Sequence, residues 1–177
     1  MDNKIENEVY VKHFNKRLRI KDVFVIKDER YVYQITYKRI TYILKGFKIQ
    51  VEFDPESKRS TQISKQNLMQ MIEVYQKYYF ARAASLINTH IANPLFLDLT
   101  VKLAEDRAFS YLHIQIIFKY GGVDLNKLQP TTIEQTHNLM QQSANALFLL
   151  HNLKIAHFDV KPANMVYDNT KDLLKIV

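Results

Sequence analysis

Apolar and polar positions repeat with two different periods along this chain. Tyr31, Tyr33, Ile35 and Tyr37 alternate with Val32, Gln34, Thr36 and Lys38, the period of a strand with one buried face. A short apolar run at residues 23–26 precedes it, and residues 27–30 can turn the chain between them. Residues 42–53 predict a longer strand, or a tight hairpin broken at Gly46. The turn residues Asp54, Pro55, Glu56 and Ser57 close this segment.

A helical period follows. Leu68, Met71, Ile72, Tyr75, Tyr79, Ala83 and Leu86 recur at three- and four-residue steps, which predicts a long helix over 64–88. Asn93-Pro94 ends it. Residues 96–103 and 111–118 read as two more strands around a turn at 104–107. Gly121-Gly122 then allows a bend before a short helix over 124–128, and residues 133–153 predict a second long helix with Leu139, Met140, Ala144, Leu147, Phe148, Leu149 and Leu150. The chain finishes with a hairpin pattern, Met165-Val166-Tyr167, then Asp168-Asn169-Thr170, then an apolar run over 173–177. Residues 1–20 hold no clear period apart from a short helical stretch over 9–14, and are expected to form an extension.

Composition adds limits. The 177 residues suit one domain or two small lobes, and the 47% hydrophobic content suits a packed core. There is no Cys, so neither a disulfide framework nor a thiolate metal site is expected. The N-terminus lacks a signal-peptide apolar core, and no uncharged run approaches the ~20 residues of a membrane helix. The expected location is the cytoplasm, with cytoskeletal association as a further option, and no membrane partner. Net charge is +7, and residues 1–66 carry fifteen Lys and Arg against nine Asp and Glu. That excess would suit an acidic protein or nucleic acid, but no compact basic run appears, so a solvated strand face is the preferred explanation. A nucleic-acid module needs exposed tyrosines. The alternation instead places Tyr31, Tyr33 and Tyr37 on the face expected to be buried, so that reading ranks third.

The candidate chemistry lies at His157-Phe158-Asp159-Val160-Lys161-Pro162-Ala163-Asn164, between the second helix and the hairpin. An acid followed by a lysine two residues on and an amide three further on, in this setting, resembles the catalytic loop H-R-D-x-K-x-x-N of the eukaryotic protein kinases, serine/threonine type. The resemblance implies Asp159 as the catalytic base that accepts the proton of a substrate hydroxyl, and Lys161 as a catalytic cation beside the transferring phosphate. It implies Asn164 as a ligand of Mg²⁺, with His157 architectural. It further implies that Lys45 on the third strand, with Lys48 as the alternative, contacts the phosphates of ATP. Phe118 would line the back of the nucleotide pocket, and the backbone of Lys119 and Tyr120 would face adenine.

Departures from the kinase pattern are also written in the sequence. Only Gly46, Gly121 and Gly122 are glycines, so no G-x-G-x-x-G loop can form over the phosphates. No acid stands in Ala81-Arg82-Ala83-Ala84-Ser85, where the helix partner of the strand lysine is expected, and Glu73 lies about three turns too early. Phe158 replaces the arginine before the catalytic acid. The sequence stops at Val177, where the pattern would next give D-F-G.

The expectation is an α+β, kinase-like fold: residues 1–21 as an extension, 22–120 as a small lobe of antiparallel strands plus one long helix, and 121–177 as the first part of a helical large lobe. The expected function is ATP-dependent phosphoryl transfer to a protein hydroxyl, with little or no activity for the chain as given. The alternative is a pseudokinase that serves as a scaffold, with an assembly partner covering the exposed large-lobe face.

Overall fold

The computed structural model describes residues 7–27, 30–52, 65–103, 109–130 and 132–177. The expected turns at 54–57 and 104–107, and Asp28 and Glu29 of the first turn, lie outside them. The chain divides into two compact units, one of residues 1–78 and 94–120, the other of 79–93 and 121–177.

The first unit is built on strands β1 (Glu8–Val11), β2 (Lys16–Lys27), β3 (Arg30–Tyr37), β4 (Ile40–Glu52), β5 (Pro94–Leu103) and β6 (Phe109–Lys119). They form one antiparallel sheet in the order β1-β2-β3-β4-β6-β5. Helix α1 (Lys65–Ile87) follows β4. Met71, Val74 and Tyr78 of α1 pack with Phe47, Ile49, Ile114, Ile116 and Phe118 on one face of the sheet. The other face buries Tyr31, Ile35, Leu44 and Ile117 with Val9, Val11 and Leu18, so the tyrosine alternation of β3 does serve a core.

Several expectations change in detail. Residues 9–14 are not a short helix: β1 is followed by a single 3-10 turn, Lys12–Phe14. Pairing with β2 and burial of Val9 and Val11 override the weak local helical signal. β4 runs unbroken through Gly46, because a Cβ there would lie 1.8 Å from the Tyr31 ring. Glycine thus admits an aromatic ring across the strand instead of breaking it. In α1, Leu68, Ile72, Tyr79, Ala83 and Leu86 of the expected stripe are exposed, whereas Val74 and Ala84 are buried. Apolar residues occur on several faces of α1, so the helix period alone does not select the packed face.

The edge of β1 ends on a side chain. Gln115 of β6 is buried, its Oε1 accepts from the Lys12 backbone N–H at 3.2 Å, and its Nε2 donates to Tyr10 O at 2.8 Å. The amide therefore bonds Tyr10 and Lys12 as a neighbouring strand's peptide group would. Nε2 also donates to the Tyr31 hydroxyl at 3.1 Å.

The second unit holds β7 (Val123–Asp124), α2 (Ile133–Asn152), β8 (Met165–Asp168) and β9 (Leu173–Ile176), with the three strands in the order β7-β8-β9. Its core joins Ala84, Ile91, Leu139, Ala146, Leu150, Met165, Tyr167, Leu174 and Ile176. Residues 124–128 form a turn rather than the expected short helix. Val123 and Asp124 are drawn into pairing with β8, and Asp124 O accepts from the N–H groups of Lys127 and Leu128. Gly122 has φ 121°, and a Cβ there would lie 2.0 Å from Tyr167 O.

Replacing Gln115 with Leu leaves the Lys12 N–H and Tyr10 C=O without their buried partner. We expect a loss of about 2–4 kcal/mol in urea unfolding, from the usual cost of orphaned buried polar groups. An unchanged midpoint would show that the amide does not hold the β1 edge.

Candidate active site

Helix α2 delivers the loop that carries Asp159. Thr132 caps its start, the hydroxyl accepting from Gln135 N–H at 3.0 Å. At its end Lys154 turns left-handed (φ 61°), with Lys154 N–H bonded to His151 O and Ile155 N–H to Leu150 O. This is a Schellman closure, and Ile155 packs against the core cluster that contains Leu150. The chain leaves the helix along a defined path. Pro162 opens a 3-10 turn through Asn164, where its missing N–H costs nothing. β8 begins directly after it, and Val177 N–H donates to Asn164 O at 2.9 Å.

This framework brings the three loop residues together. Asn164 Nδ2 donates to the backbone O of Asp159 at 2.8 Å and to its Oδ2 at 2.7 Å. Lys161 Nζ stands 2.8 Å from the same Oδ2. Both partners of the Asn164 amide nitrogen are acceptors, which fixes the orientation of the amide. Asn164 Oδ1 and Asp159 Oδ1 have no hydrogen-bond partner among the described residues and remain available as acceptors. The Lys161 ammonium, then the Asn164 amide, hold the Asp159 carboxyl below the usual carboxylate range. It is therefore an anion at neutral pH.

The cluster is open to solvent, so its ion pair contributes little to stability. Phe158, immediately before the acid, has φ 60° and is 94% exposed. His157 Nδ1 is buried with no hydrogen-bond partner among the described residues. Asn164 Oδ1 suits a hard cation, as one ligand. No group of three or more His, Cys, Asp or Glu residues that could hold a metal ion occurs among the described residues.

The residues assigned to nucleotide lie in the first unit. Lys45 is on β4, and its Nζ is 5.1 Å from the centroid of the Phe118 ring. Lys48 is exposed, so Lys45 is the better match to the expected strand lysine. Burial pushes the Lys45 amine down to about 8, and no carboxylate among the described residues pairs with it. Glu73 pairs instead with Lys77, 2.5 Å away on the outer side of α1. Phe118 is partly buried beside the α1 core. Lys119 is opposite Tyr42 at the end of the ladder, and Tyr120 N–H is taken by Thr41 O at 3.1 Å. The alternation of the ladder therefore turns the Lys119 peptide groups away from β4. Burial, and then the Asp22 carboxylate, raise the Tyr120 phenol.

No family model matches this chain. Over 93 residues it is 27% identical to the probable serine/threonine-protein kinase clkA of Dictyostelium discoideum, a stretch covering 49% of this chain and 10% of that protein. That similarity is to a protein kinase. The antiparallel sheet followed by a helical segment makes the chain α+β and is compatible with a kinase small lobe.

The uncompensated lysine gives a signed prediction. An unfolded Lys45 titrates at 10.5 and the folded one near 8, so between these values the unfolded chain binds more protons and stability rises with pH. Below pH 8 the full cost of burying the cation is present. Lys45→Met should raise stability at pH 7 by about 2–3 kcal/mol and flatten the rise between pH 8 and 10.5. Parallel pH profiles for the two proteins would refute the assignment.

Proposed function

We propose that this chain is a kinase-like domain for phosphoryl transfer from ATP to a protein hydroxyl, with Asp159 as the base. The observation that carries the reading is the Asp159–Lys161–Asn164 cluster, in which the acid is ionised and one of its oxygens is unused. The similarity over 93 residues to the Dictyostelium protein supports it. Asp159 Oδ1 would accept a hydrogen bond from the attacking hydroxyl and orient it, taking the proton as the oxygen loses it. Because Lys161 and Asn164 hold the carboxyl low, orientation would contribute more than basicity. Lys161 would also face the charge that develops on the transferring phosphate. Mg²⁺ would be held by Asn164 Oδ1 together with substrate phosphates and water, and supplies charge neutralisation when bound. Lys45 would meet the nucleotide phosphates, which offer the anionic partner that it lacks among the described residues.

A second reading keeps the fold without the chemistry. No carboxylate among the described residues pairs with Lys45, and Tyr120 N–H is already bonded. Both favour a pseudokinase that acts as a scaffold in a protein assembly.

Radiolabelled ATP with Mg²⁺ and a mixed Ser/Thr peptide library separates the two. Phosphoryl transfer that falls by about 10²–10⁴-fold in Asp159→Asn, and is lost in Asn164→Ala, is the expected result. Transfer that survives Asp159→Asn would remove Asp159 as the base. Peptide phosphorylation absent from the wild type would favour the scaffold.

A further inference from the structure

We propose that the start of β2 and the hairpin turn after β3 form a binding surface for single-stranded nucleic acid, held through its phosphates. This inference stands independently of the phosphoryl-transfer reading. Phe14 stacks on Tyr37 with ring centroids 4.3 Å apart, which sets the first residues of β2 beside the turn that follows Tyr37. Lys16, Arg17 and Arg19 of β2 and Lys38 and Arg39 of the turn are all exposed. Arg17 and Arg19 share the strand face opposite buried Leu18. No compact basic run announces this corner in the sequence, because its cations come from two separate stretches that the fold brings together.

The corner is short of anions. No ion pair among the described residues uses any of these five cations. Glu8 is the acid set against them by register, opposite Arg19 on β1. Cations gathered in this way repel one another, and a polyanion relieves that repulsion. The turn adds a second cost. Lys38 and Arg39 have φ values of 47° and 67° in a two-residue hairpin loop, between Tyr37 and Ile40, whose geometry favours Asn and Gly.

An acidic protein carries the same complementary charge, but the corner is built more for nucleic acid. Protein interfaces centre on a desolvated apolar patch, and beside these cations Ile40 is a single exposed aliphatic side chain. Tyr10, partly exposed, lies opposite Arg17 on β1. A guanidinium fork matches phosphate oxygens, and an aromatic ring beside it offers a base a surface to stack on. That combination suits single strands. Tyr31, Tyr33 and Tyr37 serve the core instead.

Fluorescence anisotropy of the full chain with labelled RNA and DNA strands of about 20 nucleotides, between about 50 and 200 mM salt, tests the surface. With about four phosphates held, log K should fall against log salt with a slope of about −3. Binding of either strand with this slope supports the proposal, and the tighter of the two names the source of the phosphates. Arg17→Glu with Arg39→Glu should weaken binding by about 10-fold or more and lower the slope by about 1.4. Lys65→Glu with Lys127→Glu changes the net charge equally from exposed positions outside the corner, and should keep the affinity within about 3-fold. The surface would be overturned by no binding of either strand at the lowest salt, by an equal loss in both double variants, or by an unchanged slope in the first. Polyglutamate that displaces the labelled strand at lower concentration than an unlabelled strand does would also overturn it, in favour of an acidic protein.

Discussion

One buried side-chain amide closes the first unit on itself. A sheet edge presents unpaired N–H and C=O groups that must be met by something. Here the groups of Tyr10 and Lys12 are met by Gln115, reaching from β6 across the buried face. The course of β1 and the turn after it, the packing of Val9 and Val11, and the seat of the Tyr31 hydroxyl follow from that closure. An apolar residue at 115 would fill similar space but could not meet the backbone. The six-stranded order thus depends on a polar residue in an otherwise apolar layer.

The loop of Asp159 rests on a different kind of constraint. Asp159 and Lys161 are exposed, so packing of their side chains cannot position them. Backbone closure does: the left-handed Lys154, the Pro162 turn and the bond from Val177 N–H to Asn164 O fix the two ends of the loop. Asn164 then spans back to both the main chain and the carboxylate of Asp159. Two of the three residues in the cluster are thereby oriented by hydrogen bonds that leave an oxygen on each for other partners. Lys45 stands in contrast, a cation set into an apolar face without a carboxylate among the described residues.

Much of the fold was legible in the sequence because strong periods coincide with long elements. The alternation of β3, the extents of α1 and α2 and the β8–β9 hairpin could all be read from the residues. The first strand could not, since Val9 and Val11 are buried by a partner, β2, whose own residues 16–20 show no clean alternation. The packed side of α1 was hidden because apolar residues lie around most of its circumference. At the site, the spacing of Asp159, Lys161 and Asn164 pointed to a cluster, but the division of Asn164 into a bonded nitrogen and a free oxygen appears only with the atoms placed. Gln115 was missed altogether. Within the run Ile114-Gln115-Ile116-Ile117 a lone Gln on a buried strand is a visible signal, yet nothing in the sequence names its distant partners.

Gly46 and Tyr31 illustrate how such packing limits the paths open to the chain over evolutionary time. The ring of Tyr31 occupies the space that any side chain at 46 would need, so the two positions cannot vary one at a time. A larger residue at 46 becomes tolerable only after position 31 has shrunk. Shrinking position 31 first forfeits the stack with Tyr33 and the bond to Gln115. Either order passes through a poorly packed intermediate, so this pair forms a small barrier in sequence space around the sheet.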